Sequence, residues 1–215
     1  MLHNLVVFDF ETTGFNPVTD RIDQLAALKF EGGQLVDAFC HLVRTGADVP
    51  QDCVDLNGIT REMCDREGLN EELAFRLLRN FMGTATLVAH NASFDTSFLH
   101  QAYLRLGGKA LTNNFICTKT LAVAHLPRLS SLGADARTGK PFGPHTLSNL
   151  CLHYGIVLEG AHRALNDVQA TYKLLDMLRA TWNEEEVVGF LNCCGRGPKH
   201  HPQRGLPPHA KNIIQ

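Results

Sequence analysis

No apolar run in this chain is long enough to span a bilayer, which argues against a membrane anchor. There is no strongly basic balance either, with 20 basic and 22 acidic residues giving a net charge of −2. That argues against a sequence-specific duplex binder with a basic face. The four basic residues after Gly195 have no acids among them, so the rest of the chain carries 16 basic and 22 acidic residues, a balance of −6. Bound cations can neutralise part of that excess, so a polyanionic substrate stays allowed. The seven cysteines are odd in number and scattered, which reads as reduced thiols in a cytoplasmic protein. Met1 to Asn4 lead straight into Leu5-Val6-Val7-Phe8, too short and without the basic flank of a signal peptide. No internal repeat is present. What is there is ordinary for a globular protein: 215 residues, 44% hydrophobic and 20% charged, enough for one domain with its own core and an appendage.

The patterning predicts strands over 5–11, 22–30 and 34–43, the last two joined by a turn at Glu31-Gly32-Gly33. A helical stripe of Leu73, Leu77, Leu78 and Phe81 marks 71–82. A short buried strand follows at 86–89, then a helix with Ser93 as its N-cap and Gly107-Gly108 as its stop. A further strand at 115–117, a helix to about 125, a loop or lid over 127–144 and helices over 146–154 and 163–182 complete the body. Three antiparallel strands followed by alternating strands and helices predict a mixed α/β sheet. After Phe190 the composition turns to Gly, Pro, His and basic residues, a mobile tail or extended strap. The domain is drawn at 1–184 and the tail at 185–215.

Three segments place acids at a strand end or a helix start. Asp9 and Glu11 lie two apart at the end of the first strand, so both point to one face while Val6, Phe8 and Phe10 point to the other. Burying two acids there is costly without a cation or partner, and paired carboxylates suit hard cations such as Mg²⁺. Asp65-Arg66-Glu67 repeats the spacing, but in a polar irregular stretch that reads as solvated surface. Asp95 follows the strand ending at His90, in the first turn of a helix, where α/β sheets place ligands. Taken alone, it equally suits the helix dipole. Asn91 serves either a phosphate or the helix cap. Asp167 opens the last long helix and His162 precedes it on a loop, free to approach water; a histidine titrates near neutral pH, as a general base should. His90 is the rival base on spacing, but at the end of a buried strand it reads better as a satisfied core residue.

Phe8-Asp9-Phe10-Glu11-Thr12-Thr13-Gly14, His90-Asn91-Ala92-Ser93-Phe94-Asp95 and His162-Arg163-Ala164-Leu165-Asn166-Asp167 occur in that order. In these motifs the chain resembles the DEDD exonucleases of the histidine subclass. These include proofreading epsilon subunits and exonuclease domains of bacterial replicative DNA polymerases, ribonuclease T and oligoribonuclease. The resemblance covers about residues 4–182. It implies a ribonuclease-H-like five-stranded mixed sheet flanked by helices, two Mg²⁺ or Mn²⁺ ions on Asp9, Glu11, Asp95 and Asp167, and His162 as base. It further implies removal of nucleoside 5′-monophosphates from nucleic-acid 3′ ends; the family supports DNA and RNA alike, and the leading expectation is single-stranded or frayed DNA ends, in proofreading, repair or end trimming. With no polymerase domain in the sequence, such a role would be played with a polymerase in trans. The Thr12 and Thr13 hydroxyls suit the terminal ribose. Phe15 and Phe94 suit base stacking, although each equally suits core packing. Arg128, Arg137 and Lys140 in the lid suit phosphates or plain solvation. Gln24 stands where the family often has a glutamate, and the 135–144 stretch is longer than the minimum. Alternative readings are the same chemistry on RNA, a non-catalytic polymerase-associated nucleic-acid-binding module, and an internally cutting ribonuclease. Cys193-Cys194 with His200-His201 does not match common zinc spacings.

Overall fold

Strand β1 (Asn4–Thr12) is the axis of the molecule, because its apolar run can be covered on both faces. The computed structural model describes residues 3–109, 111–181 and 192–193. Strand β2 (Ile22–Glu31) pairs antiparallel with β1, and β3 (Gln34–Arg44) pairs antiparallel with β2. On the other side of β1 lie β5 (Thr86–Ala89) and then β6 (Asn114–Cys117), both parallel. Two-residue strands extend the edges: β4 (Leu69–Asn70) beside β3 and β7 (Asn192–Cys193) beside β6. The sheet order is β4-β3-β2-β1-β5-β6-β7. The expected five-stranded sheet, antiparallel then parallel, is thus the central five strands.

Helices α1 (Gln51–Asn57) and α2 (Arg61–Glu67) fill the irregular stretch after β3. Helices α3 (Glu71–Met82) and α4 (Ala92–Arg105) cover one face of the sheet; α5 (Thr118–His125), α6 (Leu147–Tyr154) and α7 (Ala164–Thr181) cover the other. Val6, Phe8 and Phe10 pack with Phe75, Leu78, Phe98 and Leu99 in the first layer. Leu5 and Val7 pack with Leu121, Leu150, Val168 and Leu174 in the second. In α3 the buried face is Ala74, Phe75, Leu78 and Met82, so the expected stripe is rotated and Leu77 is exposed. Asn70 caps that helix by accepting the Glu72 and Leu73 N–H groups.

The 127–144 stretch is a loop, as its prolines and glycines predict. Its two ends are tied by Asn149, which is fully buried. The Asn149 Oδ1 accepts the Leu132 N–H at 2.6 Å, and its Nδ2 donates to Ser130 O at 3.0 Å and Pro144 O at 2.8 Å. Of the tail, Asn192–Cys193 is the described part, and Cys194, His200 and His201 lie outside the described residues. Among the described residues no helix is long and apolar enough to cross a membrane.

Candidate active site

Past Val7 the face of β1 that packs on α7 changes from apolar to acidic, with Asp9 and then Glu11. Helix α7 runs against that face, and its first turn brings Asp167 to the same point. One carboxylate oxygen each from Asp9, Glu11 and Asp167 lie within 4.8 Å of one another. Asp95 comes from α4, in the opposite layer, and reaches over the strand end. Its Oδ1 accepts the Phe10 N–H at 3.2 Å, and it is 2% exposed. It stands outside the three-oxygen cluster, but its charge acts on Asp9.

The electrostatics of this cluster are unfavourable to charge. Burial first, then the charges of Asp95, Asp167 and Glu11, hold Asp9 well above the usual carboxylate range. Burial pushes Asp95 up to about 8 and Asp167 up to about 7, with the Glu11 charge adding to each. Glu11 is raised by burial and partly relieved by Asn57, whose Nδ2 donates to Glu11 Oε2 at 3.3 Å. Among the described residues no lysine or arginine offsets the charge of these four acids. An all-oxygen donor set that is crowded and desolvated fits hard divalent cations, which would restore the charged form of each acid.

His162 and Asp167 are joined locally. His162 has φ 65° and its N–H donates to Asp167 Oδ2 at 3.0 Å, so one turn fixes the acid and presents the histidine. His162 is exposed as a residue, yet desolvation of its ring lowers its pKa from the ordinary value, with Asp135 raising it and Arg137 lowering it. His90 is engaged at both ring nitrogens, with Nε2 3.1 Å from His145 O and Nδ1 3.0 Å from Thr118 Oγ1. A carbonyl can only accept, so Nε2 carries the proton and Nδ1 accepts from the hydroxyl. Burial pushes the His90 pKa down to about 3. It has the environment of a neutral core histidine.

The loop after β1 is built from its own polar groups. The Thr12 hydroxyl donates to Gly14 O at 2.7 Å, and Thr13 Oγ1 accepts the Arg21 N–H at 3.0 Å. The Asp20 carboxylate packs directly on Gly14, where a Cβ would come within 2.2 Å of Asp20 Oδ2. The loop presents Phe15 at 83% exposure, with its ring centroid 6.4 Å from that of Phe94, which in turn lies 4.9 Å from Phe98. Phe15 is therefore not a core residue. Asn91 precedes α4 in the left-handed region, φ 62°, and makes no cap hydrogen bond; its Oδ1 faces Lys119 Nζ at 3.5 Å. Ser93, expected as the cap, lies inside the helix. Arg128, Arg137 and Lys140 are exposed on the 127–144 loop. Sequence reasoning missed Asn57, whose contact with Glu11 spans 46 positions and leaves no local signal.

The mixed sheet flanked by helices is a fold shared with a solved nuclease. The structure of Escherichia coli exonuclease I in complex with a dT13 oligonucleotide superposes with a TM-score of 0.70 at 20% identity, over 82% of this chain and 41% of that one. At that identity the likeness concerns the fold. The family follows from sequence: the exonuclease family model matches residues 6–175, and the chain belongs to that family. The PolC-type DNA polymerase III of Oceanobacillus iheyensis is 36% identical over 211 residues, 98% of this chain and 14% of that protein. The PolC-type DNA polymerase III of Bacillus subtilis is 35% identical over 208 residues, 95% and 13%. The chain thus spans about one seventh of the length of these relatives.

Proposed function

We propose that this domain removes nucleotides stepwise from the 3′ ends of single-stranded or frayed DNA, as in proofreading or repair, releasing nucleoside 5′-monophosphates. The observation that carries the reading is the convergence of the Asp9, Glu11 and Asp167 oxygens in a chain of the exonuclease family. The PolC-type names of its relatives support DNA as substrate, a polymerase context and a cytoplasmic setting. In this reading residues 1–184 are the exonuclease domain and 185–215 a separate tail.

Asp9, Glu11 and Asp167 hold divalent cations, Mg²⁺ or Mn²⁺, with Asp95 supporting Asp9 from the α4 side. Such cations, two per site in this reading, would supply charge neutralisation at the scissile phosphate and would make the attacking water more acidic. His162 accepts the proton of that water as its oxygen bonds to phosphorus and the bond to the 3′ oxygen breaks. The His162 N–H bond to Asp167 keeps the base in register with the acids. Phe15 and Phe94 stack on the terminal bases. Thr12 and Thr13 shape the loop that presents Phe15, and their backbone faces the terminal ribose; the Asn91 amide faces phosphate together with Lys119.

The test is digestion of 5′-labelled single-stranded DNA and RNA of equal sequence with Mg²⁺, Mn²⁺ or EDTA. A metal-dependent ladder on DNA, lost in Asp9→Asn, is expected. A ladder mainly on RNA would transfer the same chemistry to RNA maturation. Binding without cleavage of either strand would reject the enzyme reading.

A further inference from the structure

Asp23 is the one side chain of the described residues whose two carboxylate oxygens are both buried without a hydrogen-bond partner. It is 1% exposed. Its position follows from an irregularity in the sheet. Glu11 pairs with Gln24 and Thr12 pairs with Ile22, so β2 has one residue more than β1 there, and Asp23 is that residue. A bulge of this kind redirects a side chain that regular alternation would send to the opposite face. The Asp23 backbone is held where it is, with its carbonyl accepting from Cys64 Sγ of α2 at 3.9 Å. The N–H groups of Asp23 and Gln24 lie near its carboxyl without hydrogen-bonding to it.

The neighbour that matters is Glu11, whose negative charge acts on Asp23. Asp23 also acts on Cys53 of α1, the helix that ends at Asn57, the partner of Glu11. An acid in this setting is poorly supported by the fold itself: its oxygens make no well-formed hydrogen bond, it has no ion-pair partner among the described residues, and it repels Glu11. An apolar residue would fit a buried strand position better. What makes an acid useful there is positive charge arriving next to Glu11.

Resting on the cation-binding reading above, we propose that Asp23 is a fifth carboxylate of the divalent-cation site, acting on the Glu11 side and adding its charge to the Asp9, Glu11 and Asp167 set. Asp23 is then a cation-binding residue that touches no nucleotide, and its role is to raise cation affinity.

The experiment is Mn²⁺ titration of the full chain by calorimetry, with thermal unfolding in EDTA and in Mn²⁺ at pH 8. Parent, Asp23→Asn, Asp23→Leu and Asp9→Asn are compared. In both Asp23 variants Mn²⁺ affinity should fall about tenfold, the size expected for losing one nearby charge from a dication. Their melting temperature in EDTA should equal or exceed that of the parent, and the rise on adding Mn²⁺ should shrink. Affinity within twofold of the parent would overturn the proposal. So would a weaker affinity accompanied by a lower melting temperature in EDTA, which marks general loosening, or failure of both variants to fold. The Asp9→Asn control separates the two claims. If the parent takes up Mn²⁺ and Asp9→Asn does not, the cation reading stands and Asp23 is judged by its own variants. If the parent takes up none, both fail.

Discussion

Chelating divalent cations should make this fold less stable as the pH rises. The reason is the set of acids whose pKa is raised by burial and mutual repulsion. A raised acid binds more protons folded than unfolded between its two pKa values, so stability is fully present below about 4 and is lost as the pH climbs through the folded value. For Asp167 that window runs from the ordinary 3.8 to about 7, and for Asp95 to about 8. Over the part of that window above pH 5, Asp167 alone loses on the order of 3 kcal/mol. In a domain of this size that is a fall in melting temperature on the order of 10 °C. The other acids add to it, though less than additively, because they share the same repulsion. The assay is thermal unfolding by circular dichroism in EDTA from pH 5 to pH 8.5, repeated in Mn²⁺. The EDTA curve should decline steadily, and Mn²⁺ should rescue strongly at pH 8 and weakly at pH 5. Asp167→Asn should flatten the EDTA curve. A melting temperature that rises or stays level from pH 5 to 8 in EDTA would refute the argument.

His162→Ala should lower turnover roughly 10²-fold or more while Mn²⁺ binding stays near the parent value; near-unchanged turnover rejects it as the base. Phe15→Ala removes an exposed ring, so stability should change by less than about 0.5 kcal/mol. Its single-stranded DNA affinity should nonetheless weaken by about 1–3 kcal/mol, read by fluorescence anisotropy; equal affinity would assign the ring no contact. Asn149→Ala leaves three backbone groups without their buried partner and should cost about 3 kcal/mol in urea unfolding, with earlier protease cutting in the 127–144 loop. A loss below about 1 kcal/mol would mean that the loop holds itself.

Much of the fold is visible in local pattern. The run Leu5-Val6-Val7-Phe8 announces a strand covered on both faces, and the strand and helix bounds at 22–31, 71–82 and 86–89 follow from alternation and turn residues within a residue or so. The two-apart spacing of Asp9 and Glu11 is enough to put them on one face, and α7 then brings Asp167 to them. Features set by distant contacts are not visible in this way. Asn91 takes a left-handed backbone where Ser93 looked the better cap, since the chain must turn sharply from β5 to aim Asp95 back at Phe10. The rotation of the α3 stripe depends on which face the sheet covers, and an apolar Leu77 does not announce its own exposure. Asp23 reads as an ordinary strand residue because period-two counting has no way to register an added residue opposite Thr12.

The Asn149 clasp separates the tip of the 127–144 loop from everything beneath it. Ser130, Leu132 and Pro144 are held at the base by one buried amide, while Ala134 and Pro141 form a bridge and the turn between them closes on Asp135. Residues 136–139 are exposed and contribute nothing to the core. That tip is therefore an insertion port: a fluorophore-bearing cysteine, a short peptide epitope or a surface-coupling handle placed there should leave the sheet undisturbed. Because Arg137 acts on His162, a probe at this place would also sit beside the proposed base and, under the proposed function, would report on strand entry in real time.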